Sequence, residues 1–365
     1  MSSPFEPIQL VGAIKGRGTA SRMAHRFASD ARAGFDDGWG AVEDPAGASA
    51  MAPATVVSAE LAKSAITRNN SPDIHFDYGL NPYRGCEHGC IYCYARPTHS
   101  YLNLSPGLDF ETRIIAKTNL AQVLSRELQA PGYAPRQIVI GSATDAYQPA
   151  EREWRVTRAV LEVLHACQHP LAIVTKGSGV ERDLDLLTPM AAHKLCAVYV
   201  TITTLDARLA RILEPRAAAP YRRLKTIEVL ARAGIPVGVS VAPQIPFINE
   251  DMEQVLEAAS RAGAGSAFYT VMRLPWELNA LFQEWLAQHY PDRAARVMAR
   301  IREMRGGKDY DAAFATRMKG SGVWADLIAQ RFQKTCARLG LNRQRVEMDE
   351  TLFRPALLAG QQSLF

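Results

Sequence analysis

The sequence predicts an α/β fold: a partial (β/α)6 TIM-like barrel with an N-terminal tail and a C-terminal helical extension. Three observations predict it. From about residue 75, short apolar runs of strand length alternate with helical spans, the pattern of parallel strands joined by right-handed crossovers. Six such units, with the helix after the last strand, fill residues 75 to 287, where a closed eight-unit barrel needs roughly 250 residues, about 31 per unit. Each run also stops in a group of polar residues, and chemistry in such barrels sits at the C-terminal ends of the strands. The expected divisions are 1–70, a weakly ordered basic segment; 71–287, the barrel; and 288–365, the helical extension.

In chain order, residues 1 to 70 carry little periodicity, and Ala31 to Pro53 is dominated by Gly, Ala, Asp and Pro. Lys15-Gly16-Arg17-Gly18 and Arg22 to Phe27 form a basic stretch with turn residues, read as a mobile tail or as a flap over a substrate. His75–Leu80 alternates and predicts the first strand. Helical spacing follows over 117–129. Gln137–Gly141 reads as a buried strand, 151–166 as an amphipathic helix, Leu171–Thr175 as the third strand and 180–192 as a helix. Cys196–Ile202 is the fourth strand. Helices are expected over 206–213, where Asp206 suits an N-cap, and over 222–233, which Gly234 and Pro236 stop. Val237–Val241, a helix over 251–262 and Ser266–Val271 complete the six units.

Composition narrows the function classes. The chain has 365 residues, 47% hydrophobic and 22% charged, an ordinary globular balance. No apolar run reaches membrane-spanning length, and Met1–Glu6 lacks a secretory pattern, so a cytoplasmic protein without a membrane partner is expected. Net charge is +5, too mild to establish a nucleic-acid partner. Its distribution is uneven: residues 291–345 hold 13 Lys/Arg against 5 Asp/Glu. That excess reads either as a footprint for a polyanion or as a solvated helical face.

The most informative stretch is Gly85-Cys86-Glu87-His88-Gly89-Cys90-Ile91-Tyr92-Cys93-Tyr94. It holds three of the six cysteines, spaced C-x₃-C-x₂-C. Thiolates packed this closely favour a soft metal. A [4Fe–4S] cluster normally takes four Cys thiolates, so three leave one iron open to a small molecule. A zinc site wants four ligands, and His88 or His99 would have to serve with the cysteines. Cys167, Cys196 and Cys336 are scattered, and the remaining histidines have no ligand spacing.

With Tyr92 just before the last cysteine, this motif resembles the radical S-adenosylmethionine (SAM) signature. The chain from about Asn81 to Asn249 is similar to the branch related to spore photoproduct lyase, the DNA repair photolyase-like proteins. The resemblance implies a [4Fe–4S] cluster on Cys86, Cys90 and Cys93, with SAM at the open iron. It implies reductive cleavage of SAM to a 5′-deoxyadenosyl radical that abstracts hydrogen from a substrate. A reductant such as flavodoxin or ferredoxin would be a partner, and nucleic acid is the first substrate class to consider. Polar strand-end residues of the relatives contact SAM; the matching positions here are Thr144, Asp145, Lys176 and Thr203, with Thr201 on the same strand face. Tyr92 is placed to pack against adenine, and Arg222, after Glu214-Pro215-Arg216, to clamp the SAM carboxylate. One departure stands out. Where spore photoproduct lyase has a hydrogen-donating cysteine, this chain aligns Ser142, and an O–H bond is a poor hydrogen-atom donor, so repair of spore photoproduct is not expected. The reading from a different class is a non-catalytic iron–sulfur or zinc protein that binds nucleic acid.

Overall fold

The computed structural model of the protein describes residues 14–27, 53–344 and 346–359. Its strands are, in chain order, β1 (Val56–Glu60), β2 (Thr67–Arg68), β3 (Tyr78–Leu80), β4 (Tyr83–Arg84), β5 (Arg113–Lys117), β6 (Ile138–Ile140), β7 (Leu171–Thr175), β8 (Cys196–Thr201), β9 (Val237–Ser240) and β10 (Ser266–Phe268). Six of them, β3 and β6 to β10, lie side by side in chain order and all parallel. β2 pairs antiparallel with β3 and ends that side of the sheet, so β3 and β10 are not neighbours. This is the partial (β/α)6 barrel expected from the unit count.

Alternation along each strand sorts side chains between two layers. Ile138, Ile140, Ile173, Val198, Val200 and Val239 are fully buried and join the core shared with Leu124, Leu161, Leu187, Ile227 and Leu256 of the surrounding helices. Each such burial contributes roughly 1.5–3 kcal/mol. The alternate positions, Val139, Val174, Thr201, Ser240 and Phe268, face the barrel interior and line a cavity.

The expected helix over 151–166 is two helices, Glu151–Trp154 and Val156–Ala166, divided at Arg155 with φ +50°. The Glu151 carboxylate accepts from the N–H groups of Thr157 (2.9 Å) and Arg158 (3.2 Å), so it supplies the start of the second helix. A three-stranded sheet not foreseen from the sequence adjoins the barrel: β5 pairs parallel with β1 and antiparallel with β4. The cysteine loop leaves from β4, and the chain returns as β5.

The expectation of a loose segment over 1–70 does not hold for its described parts. From Thr19 to His25 every second residue is buried, the signature of an extended segment lying on a surface. Leu108 N–H donates to Ser21 O (2.9 Å), Ser21 Oγ donates to Glu284 (2.6 Å) and Arg26 pairs with Glu277 at 2.7 Å. Residues 53–70 carry β1 and β2. The rest of the expected tail, 1–13 and 28–52, lies outside the described residues. The C-terminal region supplies helices Pro291–Glu303 and Gly322–Leu339. Part of its charge is paired: Arg317 meets Asp73, Arg331 meets Glu253 and Arg338 meets Glu257, at 2.5–2.6 Å. Among the described residues, no helix is long and apolar enough to cross a membrane.

Candidate active site

The loop from Gly85 to Cys93 is held by its own backbone and by its neighbours. Cys86 N–H donates to Phe110 O (2.9 Å), Ile91 N–H to Leu213 O (3.0 Å) and Cys93 N–H to Cys90 O (3.2 Å). Gly85 and Gly89 have φ +75° and +66°. A Cβ on Gly85 would come within 2.9 Å of His99 and of the Phe110 carbonyl, so glycine is required there twice over. Buried Gln148 bridges the loop, accepting from Glu87 N–H (2.9 Å) and donating to Gly85 O (3.2 Å).

Cys86, Cys90 and Cys93 are free thiols that line one cavity of about 430 Å³, the first two buried and the third half-buried. Burial pushes the Cys90 thiol up to about 12 and raises Cys86 well above its ordinary value, so thiolates form in the loop where a cation compensates them. Among the described residues no three His, Cys, Asp or Glu side chains converge on a single-ion site. A donor set of three thiols lining one cavity suits a polynuclear cluster. Cys167 and Cys196 lie elsewhere, their S–H groups directed at Leu164 O and Leu187 O.

The strand ends bring most of the expected residues to the same cavity. Thr144, Asp145, Lys176 and Tyr92 all line it, as do Thr201 and Ser142. Thr144 Oγ1 donates to Tyr83 O (3.0 Å). Asp145 accepts from Thr175 Oγ1 (2.6 Å), Lys176 N–H (2.6 Å) and Tyr147 N–H (2.9 Å), and lies 3.3 Å from His88 Nδ1. Burial works against its charge, but His88 and these hydrogen bonds outweigh it and hold the carboxyl well below the usual carboxylate range. Lys176 is half-buried with Nζ 5.6 Å from the Tyr92 ring centre. Burial disfavours its ammonium form; Cys90, Glu214 and Asp145 more than offset that, and its pKa is raised.

Two expectations need correction. Thr203 does not line the cavity: its hydroxyl is taken by Glu214 (2.5 Å) and by the Tyr92 hydroxyl (3.0 Å), and Thr201 faces the interior in its place. Arg222 is not at the site either. Its guanidinium forks onto Glu181 at 2.6 and 2.8 Å, 36% exposed, because it lies on the outer face of helix Pro220–Arg232. The neighbouring Arg223 points inward instead. It donates to Thr201 O (3.0 Å) and Ala218 O (2.6 Å) and pairs with buried Glu214, which also takes the Tyr92 hydroxyl. Burial alone would raise the Glu214 carboxyl; Arg223 and Lys176 hold it at about 2. Helix phase could have found Arg223, which shares a buried stripe with Thr226, Ile227 and Leu230, three, four and seven positions on.

The model of the radical SAM superfamily matches residues 80–259, about half of the chain and the whole set of cavity-lining strand ends up to β9. An uncharacterized protein of Mycobacterium tuberculosis is 36% identical over 248 residues, covering 67% of this chain and 72% of the relative. An uncharacterized protein of Methanocaldococcus jannaschii is 26% identical over 215 residues, covering 59% and 77%. Among solved structures, a spore photoproduct lyase mutant is similar with TM-score 0.49 and 16% identity over 78% of each chain. Motif, cavity and family match agree: the chain belongs to the radical SAM superfamily.

Proposed function

We propose that Cys86, Cys90 and Cys93 hold a [4Fe–4S] cluster, and that the cavity beside them takes SAM together with a substrate. When bound, cluster and SAM supply reductive cleavage to a 5′-deoxyadenosyl radical, which abstracts hydrogen from that substrate. The observation that carries the reading is the meeting of all three loop thiols with Thr144, Asp145 and Lys176 around one cavity at the C-terminal ends of the strands.

The chain's own residues have separable tasks here. Lys176 is a cation beside buried thiols, and it lowers the cost of gathering thiolates where water is scarce. Arg223 keeps Glu214 ionised, and Glu214 fixes the hydroxyl of Tyr92, the residue before Cys93. Thr144, Asp145 and Lys176 are the proposed SAM contacts, and Asp145 also ties the ends of β6 and β7 together. A flavodoxin or ferredoxin is the proposed electron source. Nucleic acid is the proposed substrate class on the resemblance and on the basic stretch at 291–345, although Arg317, Arg331 and Arg338 already have acidic partners.

The test is anaerobic reconstitution with iron and sulfide, followed by SAM and dithionite. The enzyme reading expects a brown protein and 5′-deoxyadenosine, both lost in Cys90→Ala. SAM cleavage by the Cys90→Ala protein would refute the ligand assignment. A colourless, zinc-loaded protein that binds nucleic acid and leaves SAM intact would favour the non-catalytic reading.

A further inference from the structure

We infer that Arg273 anchors an oxyanion subsite of the cavity and receives a phosphate or carboxylate group of the substrate, resting on the reading above that this cavity takes one. The cations lining the cavity are Lys176, Arg273 and Arg317. Arg317 is satisfied, its fork on Asp73 at 2.5 and 2.6 Å. Lys176 stands on the thiol side, close to Cys90, Glu214 and Asp145. Arg273 lies beyond β10 and meets no carboxylate at ion-pair distance among the described residues.

Its polar atoms are poorly served. Nε is buried without a hydrogen-bond partner, and Nη1 meets the thioether sulfur of Met318 at 3.2 Å, a weak acceptor. The guanidinium carbon sits 5.3 Å from the centre of the Tyr94 ring, which holds the plane in place while supplying no acceptor oxygen. A guanidinium has five donors, and a buried donor left unmade is costly. The surroundings sharpen the demand. Arg305 is buried and donates to the carbonyls of Met272 (2.6 Å), Thr316 (2.9 Å) and Arg317 (2.8 Å), which fixes the chain on either side of the subsite. Burial first, and then the charge of Arg273, bring the Arg305 pKa down to about 10, with Asp311 pulling the other way. The hydroxyl residues Ser71 and Thr270 line the same cavity. A forked cation with unmade donors, a second cation behind it and hydroxyls alongside suit the paired oxygens of a phosphate or carboxylate.

The test is calorimetric titration of the reconstituted protein, without SAM and then with SAM added, at low ionic strength with inorganic phosphate and, separately, acetate. One anion per chain is expected to bind, with Arg273→Gln weakening it tenfold or more. Arg273→Lys keeps the charge without the fork and is expected to weaken it severalfold; it carries the test should the glutamine variant not fold. Preference for phosphate assigns a phosphoryl-bearing substrate, and preference for acetate a carboxylate-bearing one. The inference is overturned if neither anion binds, if Arg273→Gln binds like the native protein, or if added SAM displaces the anion, since the subsite would then serve the SAM carboxylate. The titration needs no turnover, so it can fail while SAM cleavage succeeds, and the reverse.

Discussion

Arg96 and Glu111 form an ion pair with no solvent exposure on either side chain, at 2.5 Å, and the same guanidinium takes the carbonyls of Gly89 (3.0 Å) and Cys90 (2.9 Å). The other Glu111 oxygen accepts Gly18 N–H at 2.9 Å, and Arg17 donates to the Glu111 carbonyl at 3.0 Å. One buried pair therefore joins the docked N-terminal segment to the backbone of the cysteine loop. Removing one partner leaves the other as an uncompensated buried charge, at about 3–5 kcal/mol. Glu111→Gln is expected to fall near the lower end, since the amide still accepts, and to reduce the iron retained after reconstitution. Urea unfolding and iron analysis check this; an unchanged midpoint together with full iron would show that the pair does not support the loop.

His169 sets an acid limit on stability independent of the cavity. Its side chain is fully buried, with Nδ1 donating to Pro170 O (3.0 Å) and Nε2 accepting from the Tyr133 hydroxyl (2.7 Å), which is the neutral ring. Burial lowers its pKa from 6.5 to about 4, with the Pro170 carbonyl pulling weakly the other way. The folded pKa lies below the unfolded one, so between pH 6.5 and 4 the unfolded chain binds more protons, and stability falls as pH falls through that window. From pH 7 to pH 5 the loss from this one group is about 2 kcal/mol. His169→Gln is expected to narrow the difference between urea unfolding free energies at the two pH values by that amount. A difference as wide as in the native protein would mean that His169 is not held neutral.

The barrel was legible because its signals are local. β7 spans the residues that its apolar run marks, and β6, β8, β9 and β10 fall within theirs. Asp206 caps its helix as its side chain suggests, accepting from Arg208 and Leu209 N–H. The three cysteines and the strand-end residues Thr144, Asp145 and Lys176 stand out as candidates for the same reason, since spacing and strand ends can be read in a short window, and they line one cavity. What escaped depends on distant partners. β1 is half-exposed and becomes a strand only by pairing with β5, more than fifty residues later. The segment around Arg17 is ordered by Glu111, and nothing near Arg17 announces it. Arg273 follows the last strand without a motif, and only the cavity reveals it. Arg222 and Arg223 differ by one step of helix phase, which turns one to solvent and the other to Glu214.

That one-step difference separates two variants. Lys176 faces the cavity as a raised-pKa cation beside the thiols, and a charge-assisted contact to an oxygen of SAM is worth about 1.5–3 kcal/mol. Lys176→Met keeps the length of the side chain, so it is expected to weaken SAM binding to the reconstituted protein at least tenfold. Arg222→Ala removes only a part-exposed pair with Glu181, and such pairs contribute roughly 0–1 kcal/mol. Its SAM affinity is expected to stay within twofold of the native value, with at most a small fall in the unfolding midpoint. Equilibrium binding of SAM, read with iron content in parallel, distinguishes the two. A large loss in Arg222→Ala with iron retained would place the carboxylate clamp back on that arginine, and an unaltered Lys176→Met would remove the lysine from the SAM site.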